Sequence, residues 1–292
     1  VNAAPGPFRE PPRTIRSSAD GVELAVYEVN PALEPPGHEA AHAAGHPPVL
    51  LVHGATADHT TWRAVGPALA AARATFAIDR RGRGASGDAT EYSIEREYED
   101  LATVAASLAG TAGVAAIDVV GHSYGGRCAL GASLLTGAIR RIVVYEGAPV
   151  PRGVSYRPAG LLDAVRDALG RGAKEEALTT FLSGIVGMSA AEVDAYRANP
   201  VWPARVAAAH TILREVEAEA GAGASLETLG RVTVPVLLLL GSTSRSPFRI
   251  GTDALGARLA DARVHVIEGA AHAAHHTHAA EFVAAVEAFL DA

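Results

Sequence analysis

Residues 22–29 alternate between apolar and polar side chains, which predicts a strand with one face buried. Five further runs, at 48–52, 74–78, 115–120, 142–145 and 236–240, are short and nearly continuously apolar, and a sixth follows at 264–267. Continuous apolar strands separated by helical segments predict a mostly parallel sheet covered on both faces, hence an α/β fold. The covering helices are expected over residues 62–72, 94–109, 124–135, 252–259 and 279–290. In the last of these Phe282, Val283, Val286, Phe289 and Leu290 form one apolar stripe at helical spacing, so that stripe is core.

Between Pro149 and Val234 the strand–helix alternation stops. Leu161, Leu162, Val165 and Leu169 have helical spacing, as do Leu178, Phe181, Leu182 and Ile185, and then Val206, His210, Leu213 and Val216. The expected organisation is therefore a core of residues 1–149 and 235–292 with a helical cap inserted over 150–234. A lid over the carboxyl ends of the strands is the economical arrangement, because ligands of open α/β sheets bind there. Tyr156, Tyr196, Trp202 and His210 stand either against the ligand or in the lid's own packing.

Composition bounds the function without naming it. The 292 residues are 49% hydrophobic and 20% charged, with a formal net charge of −7. That describes a globular chain. No basic cluster is long enough to suggest nucleic acid, and Lys174 is the sole lysine. The single cysteine, Cys128, rules out an intrachain disulfide. No apolar run approaches the length of a membrane span, and the proline-rich residues 1–12 lack the pattern of a signal peptide. The expectation is a cytoplasmic protein with a small-molecule ligand, no nucleic-acid or membrane partner, and no metal or organic cofactor. His38, His42 and His46 are spaced by four, but glycines and prolines interrupt them and no acid or cysteine completes a metal site.

The chemistry is concentrated at Gly121-His122-Ser123-Tyr124-Gly125, between an apolar strand and a small-residue helix. A serine between glycines at such a junction is the G-x-S-x-G nucleophile elbow. A serine hydroxyl needs a base, and the base needs an orienting acid. His272 follows the last strand after a Gly-Ala-Ala turn and is the candidate base. His275, His276 and His278 compete from the start of the final helix, where capping or solvent exposure is the ordinary expectation. The acid is less direct. The loop Gly241-Ser242-Thr243-Ser244-Arg245 carries no carboxylate, and Asp253 is expected to begin a helix. Glu146 ends the strand after the serine. Parallel neighbours are about 4.8 Å apart, so Glu146 reaches the histidine if its strand adjoins the serine strand. A salt bridge with Arg127 or a lid arginine is its competing role, and Asp253 is the reserve acid. The backbone N–H groups of Ala55 and Tyr124 are the expected oxyanion donors, and His53 is expected to stabilise its turn.

Together these residues resemble the α/β-hydrolase superfamily. The resemblance rests on His53-Gly54 with Trp62 downstream, Asp79-Arg80-Arg81-Gly82-Arg83-Gly84-Ala85-Ser86, the Ser123 elbow and the late His272. It covers nearly the whole chain from Arg13. It implies the α/β-hydrolase fold with a cap, a structural role for the arginines of 79–86, and the triad acid after the sixth strand, as in a minority of members. Some of those members, haloalkane dehalogenases among them, carry aspartate as nucleophile; Ser123 here disfavours their chemistry. The expected activity is acyl-enzyme hydrolysis of a small or medium ester, thioester or related acyl compound by Ser123, His272 and Glu146. A non-hydrolytic cyclase, dehydratase or C–C lyase on the same scaffold is the alternative, and a ligand-binding protein with a relic triad is a third.

Overall fold

A computed structural model describes residues 6–30 and 45–292. Eight strands form one sheet: β1 Arg13–Arg16, β2 Glu23–Glu28, β3 Val49–Val52, β4 Thr75–Ile78, β5 Ile117–His122, β6 Ile139–Tyr145, β7 Val236–Gly241 and β8 Ala262–Ile267. Their order across the sheet is β1-β2-β4-β3-β5-β6-β7-β8. The β1–β2 and β2–β4 pairs are antiparallel; all others are parallel. This is the α/β-hydrolase fold. Strand β1 has no apolar pattern to announce it, because three of its four residues are exposed.

Alternate side chains of the central strands feed two separate cores. Leu50, Val52, Val119, Ile142 and Val144 pack on one face against the helices Ile94–Ala112 and Tyr124–Ser133. Val49, Leu51, Val120 and Val143 pack on the other against Trp62, Leu69 and the Phe282, Val286, Phe289 stripe. Cys128 is fully buried in the first core. The 264–267 run departs from the two-sided burial its composition suggests. As the last strand in the order, β8 leaves Val264 and Val266 exposed at the sheet edge.

Two helices are displaced from their expected bounds. The first expected helix is a 3₁₀ turn, His59–Ala64, followed by the helix Gly66–Ala70 with proline in its first turn. The helix expected at 252–259 instead runs Ser246–Gly256, because Pro247 suits a first turn that needs no N–H at that position. Asp253 therefore lies well inside this helix and is exposed; it does not begin it.

Among the described residues no strand lies between β6 and β7; short helices run from Leu161 to Leu229. Many of them share a core of their own, with Val165, Leu178, Phe181, Trp202, Ile212 and Val216 buried together. Glu215, on the helix Ile212–Ala218, ties them to the sheet. Its carboxylate, fully buried, receives Arg80 Nη2 at 2.6 Å and also Arg83. Arg80 in turn meets Glu97 at 2.8 Å, and Arg81 meets Asp100 at 2.6 Å. The arginines of the 79–86 turn thus bind internal carboxylates, as the resemblance implies. Among the described residues no helix is long and apolar enough to cross a membrane.

Candidate active site

The elbow forms because two glycines permit it. A Cβ on Gly125 would run into the carbonyl oxygens of Val52 and His53, and one on Gly121 into the backbone of Gly126. Ser123 is left at φ 52°, ψ −123° between the end of β5 and the helix Tyr124–Ser133. Its N–H donates to Tyr145 O at 2.8 Å, which fastens it to β6. Three non-glycine residues have positive φ among the described ones: Thr56, Ser123 and Glu146. All three are at this site. Strained backbone of this kind costs about 1–3 kcal/mol each and clusters at functional sites.

Glu146 and His272 are brought together. His122 pairs with Tyr145 across β5 and β6, and Tyr145 pairs with Leu239 across β6 and β7. Glu146 consequently begins beside the strand that leads into Ser123. His272 Nδ1 donates to Glu146 Oε2 at 2.6 Å. The other oxygen, Oε1, accepts from Gly241 N at 2.8 Å and Ser244 Oγ at 2.5 Å. The buried carboxylate is thus satisfied on both sides. Arg127, its competing partner, pairs with Glu219 at 2.8 Å. Ser244 stands in the loop after β7, and its hydroxyl serves the carboxylate that reaches over from β6.

The imidazole of His272 is held by its surroundings. Phe248 stacks on it with ring centroids 4.4 Å apart, and Tyr156 packs against Phe248. His122 Nε2 donates to His272 O at 2.9 Å. Tyr145 Oη donates to Ala271 O and accepts Ala274 N at 3.0 Å. His122, Tyr145, Ser244 and Phe248 carry no sequence signal for these roles beyond the x position of the elbow motif that His122 fills. In this structure no hydrogen bond joins the Ser123 hydroxyl to His272.

The N–H groups of Ala55 and Tyr124 donate to no protein acceptor among the described residues. Gly54 places Ala55 close to the serine, since a Cβ on Gly54 would lie 3.0 Å from Ser123 Cβ. His53 is buried behind this loop, its Nδ1–H on Gly54 O at 2.8 Å and its Nε2 accepting Arg80 N at 3.0 Å. Burial, with the charge of Arg80, holds it well below the usual histidine range. It is a neutral turn stabiliser.

His275 and His276 do not face solvent as expected. Both lie on the short helix Ala274–Thr277; His275 is fully buried and His276 half-buried. Each reaches Thr61 Oγ1, at 3.4 and 3.3 Å. Burial pushes His122 and His275 well below the ordinary value and brings His276 to about 4. Of the remaining residues singled out, Trp202 is core, Tyr196 packs on it at 5.5 Å, and His210 is exposed. His38 and His42 lie outside the described residues, while His46 faces Asp291 at 3.5 Å. A cavity of about 890 Å³ is lined by Arg127, Tyr156, Arg157, Glu219 and Glu227 among others, and neither Ser123 nor His272 borders it.

A family model described as the alpha/beta hydrolase family matches residues 49–286. The chain belongs to the alpha/beta hydrolase family. No curated protein matches it. An alpha/beta hydrolase from Sphaerobacter thermophilus is 27% identical, with a TM-score of 0.73 over 92% of this chain and 99% of that one. A hydrolase from Pseudomonas aeruginosa is 21% identical, with a TM-score of 0.74 over 97% and 99%. A thermophilic esterase from Thermogutta terrifontis is 20% identical, with a TM-score of 0.69 over 96% and 98%. The last two likenesses concern the fold.

Proposed function

We propose that this alpha/beta hydrolase is a serine hydrolase that cleaves a small or medium carboxylic ester, thioester or related acyl compound. The observation that carries the reading is the 2.6 Å pair of His272 and Glu146, built one strand away from a serine in strained elbow geometry. Ser123 Oγ attacks the acyl carbon while His272 Nε2 takes its proton. Glu146 fixes the tautomer that leaves Nε2 bare and stabilises the imidazolium. The N–H groups of Ala55 and Tyr124 receive the developing oxyanion. His272 returns the proton to the departing alcohol or thiol, and water then releases the acyl group by the same path. The open contact between Ser123 and His272 agrees with nucleophile hydrogen bonds that tighten only around substrate.

The helices between β6 and β7 act here as the cap, with residues 150–234 as cap and the remainder as core. No step calls for a metal or organic cofactor. Labelling with a fluorophosphonate, followed by intact-mass and peptide analysis, tests the assignment together with turnover of p-nitrophenyl acetate and butyrate. One adduct on Ser123, and loss of both label and turnover in Ser123→Ala, is the expected result. Unchanged turnover in Ser123→Ala overturns it. Labelling without hydrolysis of any ester, thioester or lactone points to non-hydrolytic chemistry on the same scaffold.

A further inference from the structure

Arginines in the helices above the sheet are almost all neutralised by carboxylates. Between residues 161 and 218 there are five, and four are paired: Arg166 with Asp163 and Glu217, Arg171 with Asp167 and Glu176, Arg197 with Glu175 and Asp194, and Arg214 with Asp88. The fifth, Arg205, meets no carboxylate among the described residues. It sits on the helix Trp202–Ala207 and points to the oxyanion loop. Its Nη1 donates to Ala55 O and Thr56 Oγ1, both at 3.2 Å, and its guanidinium lies 5.6 Å from the Tyr196 ring centroid. Among the described residues Nε and Nη2 donate to no protein acceptor, and neither is sealed from solvent.

A half-buried guanidinium without a counter-ion is costly unless something else pairs with it. Among the described residues no carboxylate closes an ion pair with Arg205. His122, His275 and His276 all feel it, and beyond their burial its charge helps keep them neutral. Arg63 adds a second cation near His276; its own donors go to Thr60 O at 3.2 Å and Asn199 Oδ1 at 3.4 Å. Asp58 borders the narrow cleft beside Arg205 together with Thr56, Thr60 and Ala204. Its Oδ1 is occupied by Thr60 N and Thr60 Oγ1, at 2.9 and 2.5 Å, and it forms no ion pair with Arg205. The charged groups near the candidate site are thus the cations Arg205 and Arg63 and the carboxylates Asp58 and Glu146; Glu146 is taken up by His272 and Asp58 by Thr60, while Arg205 keeps two donors free.

We propose that the substrate is an anion and that Arg205 receives its carboxylate through the unengaged Nε and Nη2, the fork geometry that suits a planar carboxylate. Resting on the serine-hydrolase reading, the proposal narrows the substrate to acyl compounds bearing a carboxylate a few bonds from the scissile carbonyl. The bond to Ala55 O sets that carboxylate beside the oxyanion donors, so charge recognition and carbonyl placement share one loop.

The test is a matched pair of esters: monoethyl glutarate, and ethyl 5-methylhexanoate, in which an isopropyl group replaces the carboxylate. Both are followed by acid release in wild type, Arg205→Met and Arg205→Lys. Wild type is expected to favour the anionic ester in kcat/KM by about tenfold or more, the scale of one charged hydrogen bond. Arg205→Met should collapse that ratio, mainly through KM, and Arg205→Lys should keep part of it. Added salt should narrow the ratio in wild type. Absence of a preference in wild type overturns the proposal. So does an equal loss on both esters in Arg205→Met with a salt-insensitive ratio, since that marks a clamp on the oxyanion loop. Should wild type hydrolyse neither ester, the serine-hydrolase reading is in question, and calorimetry with glutarate decides the anion site separately. Binding that Arg205→Met removes sustains it; no binding to wild type overturns it.

Discussion

Glu146 Oε2 accepts the Nδ1 proton of His272 at 2.6 Å, although the two residues are 126 positions apart and belong to opposite sides of the inserted helices. The carboxylate comes from the end of β6, and its second oxygen is held by Gly241 N and Ser244 Oγ in the loop after β7.

Glu146→Gln is therefore expected to lower kcat by roughly 10²–10⁴-fold, because the amide no longer stabilises the imidazolium. Asp253→Asn, a change on an exposed helical residue, should leave kcat/KM within about twofold. Steady-state kinetics on one activated ester compares the two, and a larger loss in Asp253→Asn would move the acid.

Glu215 gives a stability prediction. Its carboxylate faces Arg80 and Arg83 with no solvent between them. Glu215→Gln leaves two buried guanidinium groups undercompensated and should cost about 3–5 kcal/mol. Arg80 also lies 4.9 Å from the ring centroid of Tyr124, the residue directly after Ser123. Activity should fall along with the thermal midpoint, which differential scanning calorimetry measures; an unshifted midpoint would contradict this account.

Acid should destabilise the fold through its histidines. Burial lowers His53, His122 and His275 well below the ordinary value, and His276 to about 4. The folded state keeps them neutral, whereas the unfolded chain protonates them below about pH 6.5. Their contribution is complete above that pH and is lost as pH falls toward each folded-state value, by up to about 1.4 kcal/mol per pH unit per histidine. For His276 the window is about 6.5 to 4. Urea unfolding at pH 7.5, 6 and 5 should show a steadily falling midpoint, and a flat profile would mean that these rings are not kept neutral.

Gly125→Ala should be among the most damaging small substitutions. The added methyl meets two backbone carbonyls that have nowhere to go. A cost of about 1–3 kcal/mol and a displaced Ser123 are expected. Turnover per folded molecule, measured below the melting range, separates the displacement from mere loss of fold.

The local part of this site was legible in the chain. Gly121, Ser123 and Gly125 announce a strand-to-helix turn, and Glu146 ending an apolar run is conspicuous because a buried carboxylate needs a partner. That it reaches His272 depended on β6 lying between β5 and β7, which no local pattern specifies. The elements that escaped are those with weak or competing local signals. Strand β1 is mostly exposed, and the helix Ser246–Gly256 starts on Ser-Pro, which reads equally well as a loop. His275 and His276 resemble capping residues in sequence, but tertiary packing against Thr61, Trp62 and His122 buries them. Arg205 looks like any surface arginine until the fold leaves it without an ion pair among the described residues.

The three left-handed residues Thr56, Ser123 and Glu146 have one more consequence. Each holds a conformation that glycine would adopt without penalty, so at each the chain forgoes firmness. Glycine would relieve that strain at Thr56 without removing a side chain of the Ser123, His272 and Glu146 set. Such variants would relieve the backbone strain while losing the hydroxyl contacts to Ala55 O and Arg205. At that one codon, backbone ease and the anchoring of Arg205 are opposed.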